Sequence, residues 1–210
     1  MKPTIHIIDD DSAVRDSFAQ LLDMHGYETR QFADSASFLN HPRGAQDCIL
    51  LDIRMPYISG LELQQELLRR GRAEPIVFVT GHGDVALAVK AMKAGAANFL
   101  QKPCGEEALL NAVREALEAK PEARRGGEVD EHARDALARL TAREREVLDL
   151  VCKGLSSKAI ARQLEISVRT VDIHRSNMMS KTDTRNVVEL VRVAFAGGFI
   201  SDRPATAFEN

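Results

Sequence analysis

Cysteine is scarce in this chain of 210 residues, with three in all, at positions 48, 104 and 152. They are too few and too scattered for a disulfide framework, and none has the CxxC spacing of a zinc site, so a reducing compartment fits. Also lacking is any apolar segment long enough to span a membrane or to serve as a signal peptide. Met-Lys-Pro-Thr at the start leads directly into a strand-like run. These absences predict a soluble, cytoplasmic protein with no membrane partner. No internal repeat or low-complexity tract is visible.

What is present divides the chain by charge. Residues 1–119 carry 12 Lys/Arg against 17 Asp/Glu, whereas residues 136–201 carry 11 against 7. An acidic first part and a basic second part imply two domains, of which the second is suited to a polyanion. A hydrophobic fraction of 44% is enough for two modest cores.

Hydrophobic periodicity supports the same division. Five strand-length apolar runs occupy Ile5 to Ile8, Glu28 to Phe32, Cys48 to Leu51, Ile76 to Val79 and Asn98 to Leu100. Helix-period segments such as Ala13 to Met24 and Leu61 to Leu68 lie between them, and a last helix covers about Glu106 to Ala119. Strands alternating with helices predict a doubly wound five-stranded parallel sheet, an α/β fold with both sheet faces covered. Residues 120–135, with Pro121 and the Gly126-Gly127 pair, read as a linker whose continuation from Glu128 to Leu140 could be helical. From Thr141 only helix signals remain, so residues 136–201 read as a small all-α domain and 202–210 as a tail. Thr141-Ala142-Arg143-Glu144 fits a capping box. A short helix from Ser157 to Leu164, a longer one from Val168 to Lys181 and a final one from Arg185 to Ala196 are expected.

In a doubly wound sheet, chemistry sits at the carboxyl ends of the strands. That rule selects Asp9 and Asp10 after the first strand, Asp52 after the third, Thr80 after the fourth and Lys102 after the fifth. Crowded carboxylates repel, and a hard divalent cation such as Mg²⁺ relieves the repulsion through oxygen ligands. A carboxylate can itself attack phosphorus when cations neutralise the developing charge, and Asp52 is best placed to be that nucleophile. Taken singly, each acid could equally cap the helix that follows.

The motifs Ile8-Asp9-Asp10-Asp11, Leu51-Asp52-Ile53-Arg54-Met55-Pro56, Thr80-Gly81-His82-Gly83 and Lys102-Pro103 resemble those of the receiver domain of bacterial response regulators. The resemblance spans roughly Thr4 to Ala119 and is flavodoxin-like in the fold it implies. It implies that Asp52 is phosphorylated by a cognate sensor histidine kinase. Asp10 and Asp52 would bind Mg²⁺, with Asp9 acting through water and Arg54 through its backbone carbonyl. Thr80 and Lys102 would contact the phosphoryl group, and Phe99 matches the switch aromatic, moving into space that Thr80 vacates. Residues from about Asp84 to Leu100 would form a dimerisation face. Phe99 could otherwise be plain core, His82 an exposed loop residue and Cys104 either redox-sensitive or a small filler.

In the basic half, Gly154 to Leu164 followed by Ile166 to Val171 has the spacing of a helix-turn-helix, with Ala161 small where the helices approach. The run from Leu140 to Phe199 resembles the LuxR-type effector domain, and its ending resembles the FixJ-like branch of the FixJ/NarL family. On that resemblance the helix from Val168 enters the major groove of double-stranded promoter DNA. Arg169, Asp172, Ile173 and Ser176 fall along one side as candidates for base contact. Thr170, Arg175, Lys158 and Lys181 suit phosphates, and His174 either reaches the backbone or packs. The family often has Lys at the position of Asp172, and an acid there could accept from cytosine N4. Val188, Val191 and Phe195 share a face that is either dimer contact or core.

The reading that follows is a phosphorylation-activated transcription regulator, a homodimer when phosphorylated, with RNA polymerase a further candidate partner. It is not an enzyme beyond self-catalysed phosphotransfer and slow autodephosphorylation. Two alternatives stay open. An aspartate-nucleophile phosphatase would carry a second Asp two residues after the nucleophile, where this chain has Arg54. A phosphorylation-independent DNA-binding protein would use the first domain as a passive dimeriser.

Overall fold

The computed structural model describes residues 3–41, 47–72, 74–81, 85–118 and 130–200. Among these, packing divides the chain into two units, one comprising residues 1–83 and 94–124, the other 84–93 and 125–210.

The first unit is built on a parallel sheet in the order β2-β1-β3-β4-β5. Its strands are β1 (Thr4–Ile8), β2 (Glu28–Phe32), β3 (Asp47–Leu51), β4 (Ile76–Thr80) and β5 (Asn98–Gln101). Strands β3 and β4 are buried at every position and β1 at four of five, which is why their apolar runs are continuous. Each fully buried Ile or Leu contributes about 1.5–3 kcal/mol relative to exposure. Helices α1 (Ser12–Met24), α2 (Ser35–Leu39), α3 (Gly60–Arg69) and α5 (Glu106–Glu118) belong to this unit. On one face Ile5, Ile7, Leu50, Val77 and Val79 pack with Leu22 of α1 and with Leu109 and Val113 of α5.

Hydrogen bonds carry the strand alignment past the strand ends. The Asp9 N–H donates to the Phe32 carbonyl at 3.2 Å, the Asp52 N–H to Ile8 at 2.9 Å and the Lys102 N–H to Thr80 at 2.8 Å. The carboxyl-end residues thus sit on a rigid frame rather than on free loops.

The second unit is all-helical. It comprises α4 (Val85–Lys93), α6 (Glu131–Ala138), α7 (Ala142–Cys152), α8 (Ser157–Gln163), α9 (Val168–Thr182) and α10 (Val187–Ala196). Its core joins Leu137, Val147, Leu148, Val151, Ile160, Val171, Met178 and Leu190. Thr141 and Glu144 form the expected capping box at the start of α7. Val188 and Val191 are buried and Phe195 packs against the same core, which favours the core reading of that helix face.

One boundary moves. The segment 120–135 reads as a linker in sequence, yet α6 begins at Glu131, with Asp130 as its N-cap. Ala133 and Leu137 are buried, and the Asp130 N–H donates to the Ala196 carbonyl at 2.9 Å. The helical unit therefore starts near 130, because α6 and α10 cover each other.

Candidate functional site

The three acids at the carboxyl edge of the sheet have different surroundings. Asp9 and Asp52 are buried, at 3% and 7% exposure, while Asp10 is exposed with no partner among the described residues. The Lys102 ammonium donates to Asp9 Oδ2 and, at 3.1 Å, to Asp52 Oδ1. The other oxygen of each carboxylate takes a backbone N–H. Asp11 donates to Asp9 Oδ1 at 3.0 Å, and Arg54 to Asp52 Oδ2 at 2.5 Å. Asp11 itself caps α1 by accepting from the Ala13 N–H at 2.9 Å. Thr80 is buried at the end of β4. The Lys102–Pro103 peptide bond is cis.

Burial pushes the Asp52 carboxyl above the ordinary carboxylate range, with Asp9 adding to the rise and Lys102 and the Arg54 N–H opposing it. Burial works against the Lys102 ammonium too, but the hydrogen bonds and charges of Asp9 and Asp52 outweigh it and hold Lys102 charged. One ammonium cannot balance three carboxylates. The surplus negative charge, all of it on hard oxygen, is the chemistry a divalent cation fits. Among the described residues, however, no three His, Cys, Asp or Glu side chains converge on one point. The lysine stands against both buried acids, so a cation would have to share or displace it.

Two residues that sequence reasoning passed over complete this edge. Arg15 donates through Nη1 to the Asp9 carbonyl at 2.7 Å. Gly60, the first residue of α3, lies so close to the end of β3 that a Cβ there would be 2.2 Å from the Asp52 carbonyl oxygen. Nothing in the local sequence signals either role, apart from Gly following the Ser59 cap.

Phe99 sits in the core position that the sequence left open beside a switch role. It is 2% exposed, with its ring centroid 6.1 Å from that of Phe78. His82 lies outside the described residues. Cys104 packs against the sheet core, and burial raises its thiol pKa. Burial likewise pushes Cys152 up to about 12, so both thiols stay protonated and poorly nucleophilic.

In the helical unit, α8 and α9 meet through a tight turn in which Glu165 has φ of 56° and the Ile166 N–H donates to the Ala161 carbonyl at 3.0 Å. Ile160, Ala161 and Val171 are buried between the helices. Ser167 caps α9 by accepting from the Thr170 N–H at 3.0 Å, and the two hydroxyls lie 2.8 Å apart. Along the outer side of α9, Arg169, Asp172, Ile173 and Ser176 are all exposed, as is Lys158 on α8. Thr170, His174 and Arg175 are half-buried.

The chain is matched by two families, the response regulator receiver domain over residues 5–114 and the luxR family of bacterial regulatory proteins over residues 138–194. It is 44% identical over 206 residues to the transcriptional regulatory protein FixJ of Azorhizobium caulinodans, covering 96% of each chain. It is 41% identical to the response regulator protein TodT of Pseudomonas putida, over 90% of this chain and 84% of that one. Among solved structures, the response regulator StyR aligns with a TM-score of 0.55 at 42% identity, over 92% of this chain and 98% of the other.

The chain is a response regulator. It joins a receiver domain to a LuxR-type DNA-binding domain, and among its described residues no helix is long and apolar enough to cross a membrane.

Within the response regulator's DNA-binding domain, two expected contacts already have internal partners. Lys181 donates to both oxygens of the buried Glu144, at 2.9 and 2.7 Å, so its charge locks α9 to α7 rather than standing free for a phosphate. Asp172 accepts from the Ser157 hydroxyl at 3.0 Å, and that hydroxyl accepts from Arg175 Nη1 at 2.6 Å. The carboxylate thus links α8 to α9 through one of its oxygens. Neither link was visible in sequence, because the partners lie 37 and 15 residues apart.

Proposed function

We propose that this response regulator is switched by phosphorylation of Asp52, with the phosphoryl group coming from a cognate sensor histidine kinase. The observation that carries the reading is the setting of Asp52: a buried carboxylate held between an ammonium and a backbone N–H beside a second buried acid. An Asp52 oxygen attacks phosphorus of the phosphohistidine, the P–O bond forms as the P–N bond breaks, and the imidazole nitrogen keeps the electron pair and takes a proton. Lys102 is positioned to offset negative charge on the transferred group, and the Thr80 hydroxyl to hydrogen-bond it.

Mg²⁺ would be held by the carboxylates of Asp10 and Asp52 and by the Arg54 carbonyl, with Asp9 acting through water. Bound there, it supplies charge neutralisation to the phosphoryl oxygens. The protein turns over no small substrate beyond its own phosphorylation and slow autodephosphorylation. Phosphorylation promotes homodimerisation, and two linked DNA-binding domains on neighbouring half-sites gain avidity without new contacts. The regulator works on double-stranded promoter DNA in the cytoplasm, alongside RNA polymerase.

The test is incubation with acetyl phosphate and Mg²⁺, mass spectrometry to locate the adduct, and parallel measurement of oligomeric state and DNA binding. The expected result is one phosphoryl group on Asp52 with tighter DNA binding. An adduct elsewhere, or equal DNA binding by wild type and Asp52→Asn under the same conditions, would overturn the reading.

A further inference from the structure

We propose that Arg15 is a positioning residue for the divalent cation, fixing the main chain from which Asp10 presents its carboxylate. The inference rests on the Mg²⁺ reading above and adds how this chain holds an exposed ligand in place. Every hydrogen-bonding group of Asp9 is engaged. Its N–H donates to the Phe32 carbonyl at 3.2 Å, its Oδ1 accepts from the Asp11 N–H at 3.0 Å, its Oδ2 accepts from Lys102, and its carbonyl accepts from Arg15 Nη1 at 2.7 Å. Asp10, the next residue, is exposed, and its side chain has no partner among the described residues. A peptide unit is planar, so a bond to its carbonyl or its N–H orients the whole unit. Arg15 holds the Asp9–Asp10 unit and the Asp9 carboxylate holds the Asp10–Asp11 unit, so the planes on both sides of the Asp10 Cα are fixed.

The charge of Arg15 makes its position informative. The residue is half-buried on α1 and forms no ion pair among the described residues, although three acids lie within six positions of it. Charge alone would draw a guanidinium to one of their carboxylates, and a guanidinium left without one opposes a cation nearby. Arg15 is bound instead to a neutral carbonyl, where it acts on backbone geometry. Its own N–H donates to the Asp11 carbonyl at 3.1 Å, so its side chain runs back past the first turn of α1 and closes the loop from β1. A ligand held only through its main chain keeps both carboxylate oxygens for the cation, as a hard divalent ion requires.

The experiment titrates the full-length protein with MgCl₂ and reads the rise in its thermal unfolding temperature. In parallel, the rate of the mass increase with acetyl phosphate is measured at each Mg²⁺ concentration. Arg15→Met keeps an apolar stem and removes both donor and charge. We expect its half-saturating Mg²⁺ concentration to rise about three- to tenfold, the worth of one partly exposed hydrogen bond. Its deficit in phosphorylation rate should be largest at low Mg²⁺ and close as Mg²⁺ saturates. Arg15→Lys, which keeps a charged donor, should recover most of the Mg²⁺ response. A residue acting through charge alone would give the opposite sign, with Arg15→Met binding Mg²⁺ more tightly than wild type. A residue that only supports the fold would lower the unfolding temperature without Mg²⁺ and leave the half-saturating concentration unchanged. Either outcome overturns the proposal, as does a rate deficit of the same size at every Mg²⁺ concentration. Arg15→Gln, shorter and uncharged, is read in the same way if Arg15→Met does not fold. If wild type shows no response to Mg²⁺ at all, the cation reading fails and this one falls with it.

Discussion

Each unit of this response regulator buries acids against a lysine, and the two arrangements differ in balance. In the DNA-binding domain, Glu144 meets Lys181 one to one, and its Oε2 also caps the Thr141 N–H at 2.7 Å. Every charge is matched, so the group fastens α9 to α7 and has no capacity for a ligand. In the receiver, Lys102 faces two buried acids with a third exposed beside them. That deficit of positive charge is the feature on which the proposed cation and phosphoryl group would depend. The same side-chain chemistry is structural when its charges cancel and reactive when they do not.

The comparison is broken most completely by Asp52→Asn. It removes the nucleophile and should abolish the mass increase on treatment with acetyl phosphate, while leaving the fold intact by circular dichroism. Lys102→Ala comes next. With three acids left to repel, the receiver should lose about 1–3 kcal/mol of stability in low-salt buffer. Millimolar Mg²⁺ should restore much of that loss in thermal unfolding. No Mg²⁺ effect would show that the surplus charge does not recruit a cation.

Glu144→Gln tests the balanced pair. It leaves Lys181 half-paired and should destabilise the protein by about 1–2 kcal/mol in urea unfolding, without changing the phosphorylation rate. Burial raises the Glu144 pKa, but the hydrogen bond and charge of Lys181 and the Thr141 cap outweigh it, so the folded value lies below the ordinary 4.5. A carboxylate whose pKa is depressed on folding contributes stability above the unfolded value and loses it as pH falls through the folded one. The gap between wild type and Glu144→Gln should therefore be full at neutral pH, begin to shrink as pH falls below the ordinary 4.5, and close once it passes the lower folded value. A gap that stays the same size from neutral to strongly acidic pH would mean that the pair acts through packing alone.

The smallest expected effect is that of Asp172→Ala. It frees Ser157 and loosens Arg175, changing DNA affinity by less than about threefold and leaving the selected sequence unchanged. A new preference at a cytosine position would return Asp172 to base reading.

How much of this was legible in sequence depends on where partners lie along the chain. Strands β1, β3 and β4 were plain because burial on both faces writes an unbroken apolar run. The carboxyl-end rule then brought Asp9, Asp52, Thr80 and Lys102 to one edge without a structure. Helix α6 was read only as a linker continuation that could be helical, and its docking went unseen because its covering helix, α10, begins more than fifty residues after its own start. Phe99 was left between switch aromatic and plain core, and its burial beside Phe78 supplies the core packing that periodicity could not assign. The links from Glu144 to Lys181 and from Asp172 through Ser157 to Arg175 escaped for the same reason as α6. Periodicity reports which face of a helix is apolar, but not which distant polar group its charged residues will meet.

The close approach of Gly60 to the Asp52 carbonyl has a mechanical consequence. The main chain at Asp52 rests on the first turn of α3, with no side chain to act as a cushion. Any side chain larger than hydrogen at position 60 would have to push α3 away from the end of β3, so this one glycine sets how closely the helix can seat beneath Asp52.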